Sequence, residues 1–137
     1  MILNWLGIFT SKGEFYPFET EILRSVIRRI GGEKGSQLRR QVAAVNHIQR
    51  HREGKEVNMY CLKKGEEAFE PELRFADPPD EELLASIVLR DPHENRVLKT
   101  EVWMAAGRIF SLEFDKPPKK FFKGVPLDVV ETEITIT

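Results

Sequence analysis

Cysteine is almost missing from this chain. Cys61 stands alone among 137 residues, so no internal disulfide can form, and an unpaired thiol fits a reducing compartment better than an oxidising one. Long apolar runs are also lacking. None approaches the roughly 20 residues that span a bilayer, and the start has no basic region leading into an apolar stretch and a cleavage site. A cytoplasmic location is therefore expected. Short catalytic signatures are wanting too: there is no GxSxG elbow, P-loop, dinucleotide fingerprint or HExxH. That removes the enzyme classes such motifs announce. No internal repeat or low-complexity tract occurs, which sets aside solenoids and disordered tails.

What is present describes an ordinary folded domain. Hydrophobic residues make up 41% and charged residues 31%, far from the signature of disorder. The length suits one hydrophobic core, so residues 1–137 are read as a single domain. Net charge is −1 but unevenly spread. Residues 1–64 hold 12 Lys and Arg against 6 Asp and Glu, while residues 65–137 hold 9 against 16. Such a split suits two halves of one fold that attract each other, or a basic face for an anionic partner.

The N-terminal "MILNWLGIF" is apolar nearly all round and reads as a buried short strand or helix, with a turn around Gly13 after it. From Phe18 to Ile30 the period becomes helical: Ile22, Leu23, Val26, Ile27 and Ile30 form one stripe. Pro17 and Thr20 suit the start of that helix, Arg28 and Arg29 its end, and Gly31-Gly32 its stop. Residues 36–52 read either as a helix striped by Leu38, Val42, Val45 and Ile48 or, the favoured reading, as a short helical turn near Ser36 to Gln41 followed by a hairpin. In that hairpin "VNHIQRH" and "EVNMYCL" read as two strands around "REGK".

Strand character dominates the second half. "LLASIVLRD", "RVLKTEVWMAAG" and "RIFSLEFD" form a meander, joined by "DPHEN" and by a tight turn at Ala106-Gly107. In the last run Ile109, Ser111, Glu113 and Asp115 alternate with Phe110, Leu112 and Phe114, which predicts an apolar and a polar face. "LDVVETEITIT" adds a strand with Val130, Thr132, Ile134 and Ile136 on one face. The fold expected is α+β: an amphipathic N-terminal helix packed on a curved, mainly antiparallel sheet.

Candidate chemistry is sparse. His47 and His51 would share a face on a helix, but on a strand they lie about 13 Å apart and cannot clamp one metal; no metal or cofactor is expected. His93 falls in a polar turn, and Cys61 reads as a structural thiol in a strand. Asp80, Glu81 and Glu82 after Pro78-Pro79 read as the start of a short helix, with Leu83 and Leu84 entering the core. Glu101, Glu113 and Asp115 fall on neighbouring strands, where carboxylates could face one another.

Two segments are candidates for binding. Arg24, Arg28, Arg39, Arg40, Arg50 and Arg52 would form an anion-binding set if they shared a face, although no nucleic-acid module is visible and the pI is near 6.3. The stretch "FDKPPKKFFKG" leaves the sheet at Pro117-Pro118. Phe121 and Phe122 then cap the core, or one of them joins Lys119, Lys120 and Lys123 as an anchor for an acidic, apolar partner. Adjacent rings in an extended segment would point opposite ways. These features suggest a small bacterial-type cytoplasmic domain that binds another protein, as adaptor, inhibitor or immunity-like component, without catalysis. The alternatives are a small-ligand binder or enzyme using the concave sheet face with Glu101, Glu113 or His47, and nucleic-acid binding through residues 24–52.

Overall fold

A computed structural model describes residues 14–137. The expected N-terminal apolar element and the turn at Gly13 lie outside these described residues. Helix α1 runs Pro17–Ile30, as its apolar stripe predicts. Pro17 occupies the first helical position, where a missing N–H costs nothing, and the Tyr16 N–H donates to Glu19 Oε1 at 2.8 Å. Phe18, Ile22, Leu23, Val26 and Ile27 are buried. At the other end the Gly31 N–H donates to the Ile27 carbonyl, and both Gly31 and Gly32 take positive φ.

Helix α2, Gly32–Ala44, is more than twice the turn expected from the sequence. Gly31-Gly32 stop α1 as expected, and Gly35 adds a close contact between the helices. A Cβ on Gly35 would sit 3.0 Å from the Ile27 carbonyl oxygen, so the small residue lets α2 begin almost against α1. The hairpin that follows is as read: β1 spans His47–His51 and β2 spans Glu56–Tyr60, paired Ile48 to Met59 and Arg50 to Val57. A miniature ladder of β3 (Leu62–Lys63) and β4 (Glu66–Glu67) leads to a 3-10 turn at Pro71–Leu73.

The meander forms with one correction at its start. Strand β5 runs Glu81–Asp91, so Glu81 and Glu82 do not open a helix; they pair with Ala105 and Met104. Pro78-Pro79 leads into a chain whose ladder partners are already supplied by β6 (Arg96–Ala105), and the Ala106 N–H donates to the Asp80 carbonyl. Leu84 does enter the core, at a bulge between Leu83 and Ala85, whereas Leu83, expected there too, stays half-buried opposite Trp103. Strand β7 spans Arg108–Phe114.

A second bulge changes the expected faces of β7. Trp103 pairs with Ser111 and Met104 with Ile109, leaving Phe110 as the extra residue. The phase of the strand flips there, so Ile109 is fully buried beside Leu112 and Phe114, while Phe110 turns to the opposite face. Helix α3, Pro118–Phe122, and strand β8, Glu131–Ile136, complete the chain. The Lys/Phe segment is therefore helical, and the opposite-facing geometry of an extended pair does not apply to it.

The six-stranded sheet has the order β1-β2-β7-β6-β5-β8, antiparallel throughout, and its bulges bend it. The architecture is α+β. Val57, Leu112, Val102 and Ala85 line up in register across four strands on the face that packs against α1 and α2. Among the described residues no helix is long and apolar enough to cross a membrane.

Candidate functional site

Side chains that point toward the helices are committed to the core. Arg50 is one of them, because it sits opposite Val57 on the inner face. Its Nε donates to Glu19 Oε2 at 2.9 Å and its Nη2 to Glu19 Oε1 at 2.6 Å, with a third bond to the Glu14 carbonyl. The Glu19 side chain is 1% exposed and that of Arg50 is 19% exposed. Burial works against the Arg50 charge, but the hydrogen bond and charge of Glu19 hold its pKa above the ordinary value. The guanidinium also lies 3.8 Å from the Tyr16 ring centre.

The basic set is therefore dispersed. Arg24 and Arg28 are exposed on α1 beside Glu21, at 3.6 and 3.4 Å. Arg39 and Arg40 are exposed on α2, and Arg24 and Arg39 meet across a groove lined by Leu23, Ile27 and Val42. Arg52 lies in the β1–β2 turn, where its charge acts on Glu113. The structure joins Arg24 with Arg39 and separates both from Arg50 and Arg52.

The Lys/Phe segment divides its residues by kind. Phe121 is 5% exposed and belongs to the core. Phe122 is half-buried and stacks on Phe18 with ring centres 4.6 Å apart. Lys119, Lys120 and Lys123 face solvent, and Lys119 Nζ lies 4.4 Å from the Tyr16 ring centre. Lys119, Lys120, Arg50 and Glu53 edge a groove of about 350 Å³ floored by Tyr16, Phe18 and Pro118. Of the two candidate anchors Phe121 is committed to the core, and Phe122 keeps part of its surface beside the lysines.

On the sheet face turned away from the helices, the strand register assembles a different group. Glu56, Glu113 and Glu101 stand directly opposite one another on β2, β7 and β6, with Ser86 of β5 next in the row. The parallel row alongside holds Asn58, Ser111, Trp103 and Leu83. Beyond it Tyr60 meets Phe110 edge-on at 5.9 Å, and His47 lies 5.8 Å from Tyr60. Carboxylates thus border a strip of half-buried aromatic and aliphatic side chains.

The electrostatics follow from the register. Like charges directly opposite on a sheet repel. Partial burial, then the charges of Glu56 and Glu101, raise the Glu113 pKa above the ordinary glutamate value, while Arg52 opposes them. Glu101 accepts a hydrogen bond from Trp103 Nε1 at 3.2 Å, and Glu56 accepts one from Asn58 Nδ2 at 3.3 Å. Asn58 is 7% exposed, and among the described residues its Oδ1 has no donor.

Of the residues the sequence singled out, Glu101 and Glu113 come together. Asp115 is held at the end of β7, where its Oδ1 accepts the Lys99 N–H at 2.9 Å. His47 and His51 sit at opposite ends of β1, and His93 lies in the β5–β6 turn, its N–H bonded to Asp91. Cys61 is half-buried between β2 and β3. Glu56, Asn58, Ser111 and Trp103 were not anticipated. The alternation of Val57 and Met59 with Glu56, Asn58 and Tyr60 signals their common face, but only pairing in register sets Glu56 beside Glu113.

Comparison with protein-family models, curated proteins and solved structures finds no match to this chain.

Proposed function

We propose that this chain is a small cytoplasmic protein-binding domain, an adaptor, inhibitor or immunity-like component without catalytic activity, and that its partner seats on the outer sheet face. The observation that carries this reading is the pairing of two strips on one rigid surface: Tyr60, Phe110, Trp103 and Leu83 beside Glu56, Glu113 and Glu101. Aromatic side chains that are half covered in the free domain offer contact area at small entropic cost, and flanking charges select the partner. The unpaired Cys61 supports the reducing compartment.

The test is affinity capture from native lysate, with and without nuclease, using the wild-type chain, a Trp103→Ala/Phe110→Ala variant and a Lys119→Glu/Lys120→Glu variant. A nuclease-resistant protein in near-equal amount, lost with the first variant and kept with the second, is the expected result. Recovery of nucleic acid alone would replace this reading with binding through Arg24, Arg28, Arg39 and Arg40. Loss of the partner only with the lysine variant would move the contact to the groove beside Tyr16.

A further inference from the structure

We infer that the groove beside Tyr16 is a binding site for a free α-amino acid with an aromatic side chain, held at both of its charges. The groove shares no residue with the outer sheet face, so this site does not depend on the protein-binding reading.

Three separate parts of the chain build its walls. Tyr16 and Phe18 come from the start of α1, Pro117 to Lys120 from the start of α3, and Glu53-Gly54 from the β1–β2 turn. That turn is fixed in place. The Gly54 N–H donates to the His51 carbonyl at 3.1 Å and the Lys55 N–H to the Arg52 carbonyl at 3.2 Å. Gly54 also packs on Pro118, where a Cβ would lie 3.7 Å from the ring Cδ. The turn that carries Glu53 is thereby seated against the segment that carries Lys119 and Lys120.

The charges around the groove are left open. Arg50 is answered by Glu19, but among the described residues Lys119, Lys120 and Glu53 enter no ion pair, although all three line the same space. Lys119 is nonetheless positioned. Its Nζ lies 4.4 Å from the centre of the Tyr16 ring, the ring that also carries the Arg50 guanidinium at 3.8 Å. Cation–π attraction holds the ammonium at the aromatic floor, so less side-chain freedom is lost when a carboxylate arrives.

Charge complementarity selects the ligand. A simple anion would find Glu53 beside it, and a simple cation would meet two lysines. A molecule with a carboxylate and an ammonium on one carbon answers both, through charge-assisted hydrogen bonds to Lys119 or Lys120 and to Glu53. The rest of the lining selects the side chain. The groove, about 350 Å³, falls at the lower end of small-ligand sites, which run roughly 300–1,000 Å³. Beyond the charged groups its surface is Tyr16, Phe18 and the two proline rings, apolar faces against which an aromatic ring packs with little loss of freedom.

The experiment uses the full chain, labelled with ¹⁵N and titrated with L-phenylalanine and L-tryptophan, with the N-acetyl and amide derivatives of each, and with glycine. Acetylation removes the ammonium, amidation removes the carboxylate, and glycine keeps both charges without the side chain. The free aromatic amino acids are expected to shift the backbone amides of Glu53, Gly54 and Lys119 saturably, and the derivatives and glycine to bind about tenfold or more weakly. Glu53→Gln should bring each amino acid and its N-acetyl derivative to similar affinity, and Lys119→Gln/Lys120→Gln should do the same for the amide. All three side chains are exposed, so the rest of the spectrum should stay in place. No saturable shift at these residues with either amino acid at millimolar concentration would overturn the inference. Equal binding of the free amino acid and either derivative to the wild-type chain, or binding of glycine as tight as that of phenylalanine, would do so too.

Discussion

Replacing Glu19 with alanine should be among the most damaging single changes in this protein. The carboxylate is 1% exposed and accepts three hydrogen bonds: from the Tyr16 N–H and from Nε and Nη2 of Arg50. Removing it leaves a largely buried guanidinium that faces, among the described residues, the Glu14 carbonyl and the Tyr16 ring. Breaking one side of a buried ion pair costs about 3–5 kcal/mol. The 19% exposure of the Arg50 side chain favours the lower end, since the cation can still reach water. The lost cap on Tyr16 adds about 1 kcal/mol, giving a total of about 4 kcal/mol. Domains of this kind hold about 5–15 kcal/mol in all. Urea unfolding at pH 7, followed by far-ultraviolet circular dichroism, measures the loss. The partner variant Glu19→Leu/Arg50→Met removes both charges and should be more stable than Glu19→Ala, because no orphaned cation remains. If Glu19→Ala costs under about 1 kcal/mol, or if a double-mutant cycle shows the two sites to be additive, the pair is not what joins α1 to β1.

Further outcomes are expected at the β6–β7 turn, in α3 and at Asp91. Gly107→Ala should destabilise by well over 1 kcal/mol, roughly the cost of a left-handed residue, because φ is +80° and a Cβ would meet the Phe75 carbonyl oxygen at 2.9 Å; Ala106→Asn, at φ +51°, should instead raise the melting temperature by a few degrees, since Asn-Gly is the favoured pair in this turn. Phe121→Ser should cost about 3–5 kcal/mol in a urea titration, as other large-to-small core changes do, whereas the same change at half-buried Phe122 should cost less. The hydrogen bond from Arg96 and those from the backbone of His93 and Glu94 hold the Asp91 pKa below the ordinary carboxylate value despite burial. Its ionised form is therefore favoured more in the folded than in the unfolded chain, so its contribution is present at neutral pH and lost as pH falls through the lowered pKa. Asp91→Asn should accordingly lower the melting temperature at pH 7 and make progressively less difference as the solution is acidified below the ordinary carboxylate range.

Periodicity made much of this fold readable. Ile22 to Ile30 has a helical stripe because one face of α1 is buried, and the alternation in the last strands exists because one face of the sheet is. The misreadings have local causes. Gly35 resembles a helix breaker by composition, yet close approach to Ile27 is what it provides. Glu81 and Glu82 resemble a helix start until β6 captures their backbone. A single extra residue at Phe110 inverts the faces of β7, and no residue type in "RIFSLEF" announces a bulge. The candidate surface was half legible for the same reason. Glu101 and Glu113 are visibly strand residues, but their meeting with Glu56 and Asn58 depends on β2 pairing with β7 across some fifty residues of intervening chain, a register that no local pattern encodes.

Gln41 gives that bulge a thermodynamic reporter. Fully buried on α2, it donates from Nε2 to the carbonyls of Leu73 and Gly107 and accepts the Ile109 N–H at Oε1, 2.7 Å away. The amide proton of Ile109 is thus protected by a side chain from a helix, where most ladder protons are protected by a neighbouring strand. Its exchange with solvent deuterium is gated by departure of α2, so one proton clocks the undocking of a helix while the surrounding β6–β7 hairpin stays closed. If Ile109 exchanges faster than its strand neighbours, helix and hairpin unlock separately; if it exchanges with them, the domain opens as one cooperative piece.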